Sequence, residues 1–306
     1  MSFTAVVFPG QGSQRVGMAS DFCARFDVSR NVFAEASDAL GIDMAAMCFD
    51  DDPRLDLTEY TQPAILTAEI AMLRALEHNA GLRPTHWGGH SLGEYTALCA
   101  AGVIPLATAV RLVRRRGALM QQGVPAGEGA MMAIIAEGIA DRELSSELDG
   151  LDVDTANRNS PGQIVLSGKR ADVERAASRI ACSVPGVELV PLNVSAPFHS
   201  RMMRGIESAF RAELDAVAGE LAFERAGAVT SNLTGGFHVA DREAVLDALT
   251  RQISGTVDFI ANMRVLASAA DRICEVGPGR PLRGFFRAIG RDVASVVSVK
   301  HVAEAA

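Results

Sequence analysis

The sequence predicts an α/β fold. Its large unit is built on a mostly parallel sheet and is interrupted by a small inserted unit of ferredoxin-like βαββαβ type. Three observations carry this reading. Short apolar runs alternate with stretches of helical periodicity along most of the 306-residue chain, as expected of strands sheathed by helices on both faces. Beyond residue 129 the order becomes strand, helix, two strands, helix and strand within roughly 65 residues. Finally, Gly89-His90-Ser91-Leu92-Gly93 reads G-x-S-x-G between a short apolar run and a helical stretch, a sharp turn that exposes a serine at a helix N-terminus.

Taken in order, 4–8 is an apolar run stopped by Pro9-Gly10, a buried strand ending in a tight loop. The loop begins like a dinucleotide fingerprint, but position 15, where the third glycine belongs, is Arg15. What remains is a Gly-rich turn carrying Gln11 and Gln14, over which backbone can pass closely. Helices are predicted over 30–40 and 63–78, the second opening on Pro63 and carrying Ile65, Leu66, Ile70, Leu73 and Leu76 at near-helical spacing. A strand at 84–88, the serine turn and a helix over 92–101 follow, closed by Gly102. The next helix, 105–122, includes Arg114, Arg115 and Arg116. Successive helical residues point about 100° apart, so the three cannot share one face; solvation accounts for two and leaves one to turn inward.

The inserted unit is read as strands at 130–135, 151–156, 163–167 and 187–192 with helices at 139–148 and 171–182. Its bounds are 123–193, and the catalytic unit comprises 1–122 and 194–306. After the insert come a loop containing His199, a helix over 202–218, a strand at 228–231 and helices at 243–252 and 259–268. Strands at 272–276, broken by Gly277-Pro278-Gly279, and at 293–299 complete the chain. Ligands on such sheets gather at the carboxyl ends of the strands, where Gln11, Ser91 and Gly277 to Gly279 fall.

Bulk properties narrow the function. A net charge of −8 and a pI near 5.3 argue against nucleic acid as the main partner, though a local basic pocket on an acidic protein can still hold an anion. Cys23, Cys48, Cys99, Cys182 and Cys274 show no C-x-x-C pairing and read as buried free thiols. The start of the chain lacks a basic segment and a signal-like apolar stretch, and no apolar run is long enough for a membrane span. A cytoplasmic protein that does not engage a membrane is expected.

A nucleophilic serine needs a base. His90 adjoins Ser91 across a turn that sends neighbours in different directions. His78 and His301 read as surface residues, and His86 and His238 as structural ones. His199, in a loop after the insert, is the candidate base. No acid between Ser91 and His199 stands out, because those such as Asp152 and Asp154 fall within the insert. A dyad whose histidine is oriented by a backbone carbonyl and a full triad both remain open.

Separated motifs then carry a resemblance over essentially the whole chain. They are Phe8-Pro9-Gly10-Gln11-Gly12-Ser13-Gln14, Gly89-His90-Ser91-Leu92-Gly93-Glu94-Tyr95, and Arg116-Gly117 with Met120-Gln121. Further along are Ala156-Asn157-Arg158-Asn159-Ser160-Pro161-Gly162-Gln163, Phe198-His199-Ser200 and Glu275-Val276-Gly277-Pro278-Gly279. Their order and spacing resemble the malonyl-CoA:acyl carrier protein transacylase family. The resemblance implies an α/β-hydrolase-like large subdomain with a ferredoxin-like insert. Ser91 would take the acyl group from coenzyme A as an ester, and His199 would be general base and then acid. The backbone N–H groups of Gln11 and Leu92 would form the oxyanion hole. Arg116 would be the inward arginine, holding the malonyl carboxylate through a bidentate pair. Phe198, Gln163 and Val276 are expected to contact substrate. Leu92 and Phe198 match the malonyl-selective pattern, in which a bulky side chain occupies the space of an α-methyl group.

The implied partners are malonyl-CoA and an acyl carrier protein bearing phosphopantetheine. The protein is expected to act as a monomer without metal or cofactor. The alternative from the same residues is an acyl-thioester hydrolase, in which water reaches the acyl-enzyme. One departure stands out: where the family commonly has S-x-P-V-R-W, this chain has Ser254-Gly255-Thr256-Val257-Asp258-Phe259, an acid in place of an arginine.

Overall fold

In the computed structural model, residues 3–304 are described; positions 1, 2, 305 and 306 of the predicted catalytic unit lie outside them. The chain opens with β1 (Thr4–Phe8), followed by helices α1 (Ser20–Arg25), α2 (Asp27–Leu40), α3 (Met44–Phe49) and α4 (Thr58–Asn79). Next come β2 (His86–Gly89), α5 (Leu92–Ala100) and α6 (Leu106–Gln122). A second group of elements follows: β3 (Gly129–Ile135), the one-turn α7 (Ser145–Leu148), β4 (Val153–Ser160), β5 (Gln163–Lys169), α8 (Arg170–Ser183) and β6 (Glu188–Pro191). The chain then returns through α9 (Glu207–Val217), α10 (Arg242–Arg251), α11 (Phe259–Ala269), β7 (Arg272–Val276), α12 (Pro281–Ala288) and β8 (Ala294–Val296).

Two sheets result. The first has the order β2-β1-β7-β8, with every neighbour parallel. The second, β4-β5-β3-β6, is antiparallel throughout and shows the strand order of a ferredoxin-like unit. Strand periodicity explains why the parallel sheet is covered on both sides. Val6 and Phe8 face one large core with α2, α4 and α5, whereas Ala5 and Val7 face a smaller one with Phe259, Met263 and Phe286. The antiparallel sheet has its own core, in which Ile134 and Leu166 meet Val173 and Ile180 of α8.

The structure corrects several predicted elements. Helix α4 begins at Thr58 rather than Pro63, with the proline inside it; nearly every residue from Thr58 to Leu76 is buried, and that packing outweighs the breaker. The predicted helix at 139–148 splits into a 3₁₀ turn and α7, because the Glu143 carboxylate takes the Ser145 N–H and starts a new turn. The helix predicted from 202 starts as a 3₁₀ segment, Arg201–Ile206, before α9. The predicted strand at 228–231 forms only isolated bridges, Trp87 with Val229 and Thr230 with Phe237. The short helices α1 and α3 and the helix α12 were not anticipated. The start of α12 is fixed by Glu275, whose carboxyl accepts the N–H groups of Leu282 (2.9 Å) and Arg283 (3.0 Å).

Helix α4 also buries Glu69. One carboxyl oxygen accepts from the Thr96 hydroxyl at 2.6 Å and the other has no partner among the described residues. Burial drives this carboxyl well above the usual range, with Thr96 opposing and Glu275 adding to the shift. Of the cysteines, Cys182 is exposed on α8 and the other four are buried; all have free thiols. Among the described residues, no helix is long and apolar enough to cross a membrane.

Candidate active site

Ser91 sits at the junction of β2 and α5 with φ 53° and ψ −101°, a conformation rarely adopted by a side-chain-bearing residue. Two glycines make the turn possible. A Cβ on Gly89 would lie 2.1 Å from the Gly93 carbonyl, and one on Gly93 would lie 2.2 Å from the Phe8 carbonyl oxygen. The serine turn thus presses against the end of β1. The Ser91 N–H donates to Asn232 Oδ1 at 2.7 Å, while Asn232 Nδ2 donates to the Gly89 carbonyl (2.8 Å) and Asn262 Oδ1 (2.7 Å). The serine is therefore tied down on both sides of its peptide unit.

His199, also at positive φ (56°), places Nε2 2.7 Å from Ser91 Oγ. Its Nδ1 lies 2.8 Å from the Gln252 carbonyl oxygen, which can only accept. Nδ1 is therefore the protonated nitrogen, and Nε2 is free to accept the serine proton. Of the two arrangements left open by the sequence, this is the dyad oriented by a backbone carbonyl. Burial first, and then the charge of Arg116, lower the His199 pKa to about 3, so the imidazole is neutral.

Arg116 on α6 is the inward member of the arginine run and is 1 % exposed. Arg114 and Arg115 point outward and pair with Glu59 and Glu213. The Arg116 fork is held by two amide oxygens at 2.9 Å, Nη1 to Gln62 Oε1 of α4 and Nη2 to Gln252 Oε1 just beyond α10. Nη2 also donates to Ser91 Oγ at 3.2 Å, and the guanidinium carbon lies 5.0 Å from the centroid of the Tyr95 ring. Its Nε has no partner among the described residues. Burial lowers its proton affinity, with Tyr95 and Glu94 opposing.

Behind this layer, Glu94 of α5 is completely buried. Its Oε2 accepts from Gln252 Nε2 (2.6 Å) and the Asn232 N–H (3.0 Å), and its Oε1 meets His238 Nε2 at 2.7 Å.

These groups open onto a cleft of about 530 Å³ between the two sheets. Gln11, Leu92 and Phe198 line it with Ser91, Arg116 and His199. The small unit contributes Met131, Asn157 and Val165, and α12 contributes Leu282 and Phe285. Among the described residues, the backbone N–H groups of Gln11 and Leu92 have no acceptor, so both can serve an incoming oxyanion. The Gln11 side chain is turned to Thr58 Oγ1 at 3.1 Å.

Two predicted substrate contacts are not brought to the cleft. Val276 is fully buried in β7 opposite Val296, and Gln163 reaches the cleft only through Asn159, whose Nδ2 donates to it at 2.9 Å. Asn159 Oδ1 in turn holds His90 Nε2 at 2.7 Å, and the His90 ring packs edge-on against Phe259. His90 is thus occupied away from the serine. The departure at Asp258 also has a structural reason. This acid caps α11 by accepting the Ala261 N–H and pairs with Arg158 of β4 at 3.2 Å. Beside that pair, the Arg158 N–H donates to the Val257 carbonyl and the Val257 N–H to the Ala156 carbonyl, joining the antiparallel sheet to the large unit.

Sequence reasoning missed Gln62, Asn232 and Gln252 and gave Glu94 no role. Gln62 carried a faint signal, a long amide side chain entering an otherwise apolar helical run. Glu94 lies within the motif around Ser91, whereas Asn232 and Gln252 lie near the ends of unremarkable segments.

The acyl transferase domain model matches residues 5–259. Malonyl CoA-acyl carrier protein transacylase of Escherichia coli K12 is 40% identical over 299 residues, covering 94% of this chain and 93% of its own length. The Staphylococcus aureus MRSA252 protein of that name is 36% identical over 301 residues, covering 96% and 94%. Among solved structures, malonyl CoA-acyl carrier protein transacylase from Clostridium perfringens superposes with a TM-score of 0.91 at 35% identity, covering 99% of this chain and 96% of its own. A malonyl-transacylase in complex with its type II PKS acyl-carrier protein gives 0.91 at 36% identity, covering 99% of both chains.

Proposed function

The chain belongs to the acyl transferase domain family, among the malonyl-CoA:acyl carrier protein transacylases, and from that premise we infer how its residues carry out the reaction. The protein is an acyltransferase that moves malonyl from malonyl-CoA to the phosphopantetheine thiol of an acyl carrier protein, supplying fatty acid or polyketide synthesis. The observation that carries the assignment of roles is the position of Ser91 Oγ, 2.7 Å from His199 Nε2 and 3.2 Å from Arg116 Nη2 at the foot of the cleft.

In the first half-reaction, Ser91 Oγ attacks the thioester carbonyl carbon as its proton passes to His199 Nε2. The carbonyl oxygen becomes an oxyanion held by the N–H groups of Gln11 and Leu92. Collapse breaks the C–S bond, and the proton on His199 goes to the departing thiolate, leaving malonyl on Ser91 and releasing coenzyme A. In the second half, the carrier thiol gives its proton to His199 and attacks the ester carbonyl, and Ser91 leaves and is reprotonated. Arg116 binds the malonyl carboxylate throughout. Leu92 and Phe198 restrict the space beside the α-carbon. Gln163 bears on the cleft through Asn159, and Val276 packs inside β7 away from it.

No metal or cofactor is needed for this transfer, since nucleophile, base and oxyanion donors all come from the protein. The five free thiols support a cytoplasmic location. Hydrolysis as the main activity is disfavoured by a buried cation that an enzyme clearing neutral acyl chains has no use for.

The test is covalent labelling. Ser91→Ala should carry no malonyl group after incubation with radioactive malonyl-CoA, while the wild type is labelled and passes the label to holo-carrier protein. A labelled alanine variant would sink the assignment of Ser91.

A further inference from the structure

Gln252 serves the site from two directions. Its backbone carbonyl orients His199 and its side-chain oxygen holds Arg116. An amide has one acceptor and one donor end, so Arg116 is held only if the oxygen faces it. At the Arg116 end the guanidinium, an obligate donor, favours the oxygen, since a turned amide would set donor against donor. The same choice is enforced at the other end. There Gln252 Nε2 lies 2.6 Å from Glu94 Oε2 and 3.1 Å from the Ser91 carbonyl oxygen, both acceptors. Glu94 Oε2 also accepts the Asn232 backbone N–H at 3.0 Å, an obligate donor, so this oxygen is committed as an acceptor. Asn232 in turn has its Oδ1 aimed at the Ser91 N–H.

We propose that Glu94 is a specificity-determining positioning residue: as a buried acceptor it fixes the polarity of the Gln252 amide, and through it the aim of Arg116 at the acyl carboxylate. Glu94 touches no substrate. What it supplies is the direction of a hydrogen-bond chain running from α5 through Gln252 to the guanidinium. The inference rests on Arg116 being the carboxylate-binding group. It goes further in assigning the cause of that arginine's orientation to a residue one layer back.

Acceptor placement, rather than negative charge, is the property at work, and two conservative variants separate these. Glu94→Gln removes the charge but can leave a carbonyl oxygen at the Oε2 position, its amide nitrogen facing His238, which has a second tautomer able to accept. Glu94→Asp keeps the carboxylate but withdraws it by one methylene from Gln252 and Asn232. The measurement is kcat/KM for malonyl-CoA divided by kcat/KM for acetyl-CoA, with holo-carrier protein as acceptor. A general loss of stability lowers both terms and leaves the ratio alone. Glu94→Gln should keep the ratio within about threefold of wild type, and Glu94→Asp should lower it by about tenfold or more, the scale of one misplaced charge-assisted hydrogen bond. Loss in the glutamine variant, or retention in the aspartate variant, overturns the proposal. A wild-type enzyme that does not prefer malonyl-CoA would instead count against the underlying role of Arg116, so the two failures are distinguishable.

Discussion

Replacing Arg116 by lysine keeps the positive charge and most of the apolar stem, so it isolates the fork. In the structure the fork spans Gln62 and Gln252, each at 2.9 Å, and places Nη2 3.2 Å from the nucleophile. A lysine ammonium is a single centre that ends near the guanidinium carbon. It cannot bridge the two amides and still present two parallel donors to a carboxylate. One charge-assisted bond to an amide and one arm of the bidentate contact are lost, each worth about 1.5–3 kcal/mol. Allowing for relaxation, about 3 kcal/mol of transition-state stabilisation disappears for malonyl-CoA, or roughly a hundredfold in kcat/KM at about 1.4 kcal/mol per tenfold. Acetyl-CoA lacks the carboxylate and loses only the part that comes from disturbing Ser91 and Gln252, expected to be under about tenfold. The assay is initial-rate transfer to holo-carrier protein with both donors. Retention of malonyl-CoA kcat/KM within about threefold, or an equal fall for both donors, would refute the argument that the fork reads the carboxylate.

Two further outcomes follow from backbone packing and buried charge. Gly93→Ala forces a methyl group to within 2.2 Å of the Phe8 carbonyl oxygen, so it should destabilise the fold by about 1–3 kcal/mol or more and slow acylation of Ser91; an unchanged melting temperature and labelling rate would contradict the close contact of β1 with the serine turn. Glu69 is protonated in the fold at pH values where an unfolded glutamate, with a pKa of about 4.3, has already ionised, so stability falls as pH rises through that window and continues to fall up to the raised native value. Glu69→Gln removes this penalty, and thermal melts between about pH 5 and pH 8 should show the variant gaining on the wild type as pH rises, whereas a gap independent of pH would exclude it.

The serine turn was legible because its signals are local, whereas His199 was reached by eliminating the other histidines and by the resemblance of the motif around it. The glycines around Ser91 are demanded by contacts within a few residues and with the end of β1, and they leave a motif. The antiparallel unit was legible for a related reason, since its alternating elements follow one another in sequence. The residues that aim the site were not. Gln62, Asn232 and Gln252 come from three distant segments, and a single amide side chain carries no periodicity that marks it as buried. Helix α12 was missed although Pro281 marks its start, because the cap that fixes it comes from Glu275 on the preceding strand. The strand expected at 228–231 failed for the opposite reason. The Ser231 carbonyl and Asn232 are bonded to Asn262, Glu94 and the serine turn, which leaves the segment no continuous ladder to join.

On the proposed role of Arg116, its proximity to His199 would let one charge serve both recognition and reactivity. In the free enzyme the guanidinium is a main reason, after burial, that His199 resists taking a proton. A malonyl carboxylate seated on Arg116 would cancel much of that field and make the imidazole a better base at the moment the serine must be deprotonated. A donor without the carboxylate would forgo this gain as well as the ion pair. Such a donor would meet both a weaker grip and a less willing base, so that on the proposed role of Arg116 the cargo itself would help to arm the enzyme that carries it.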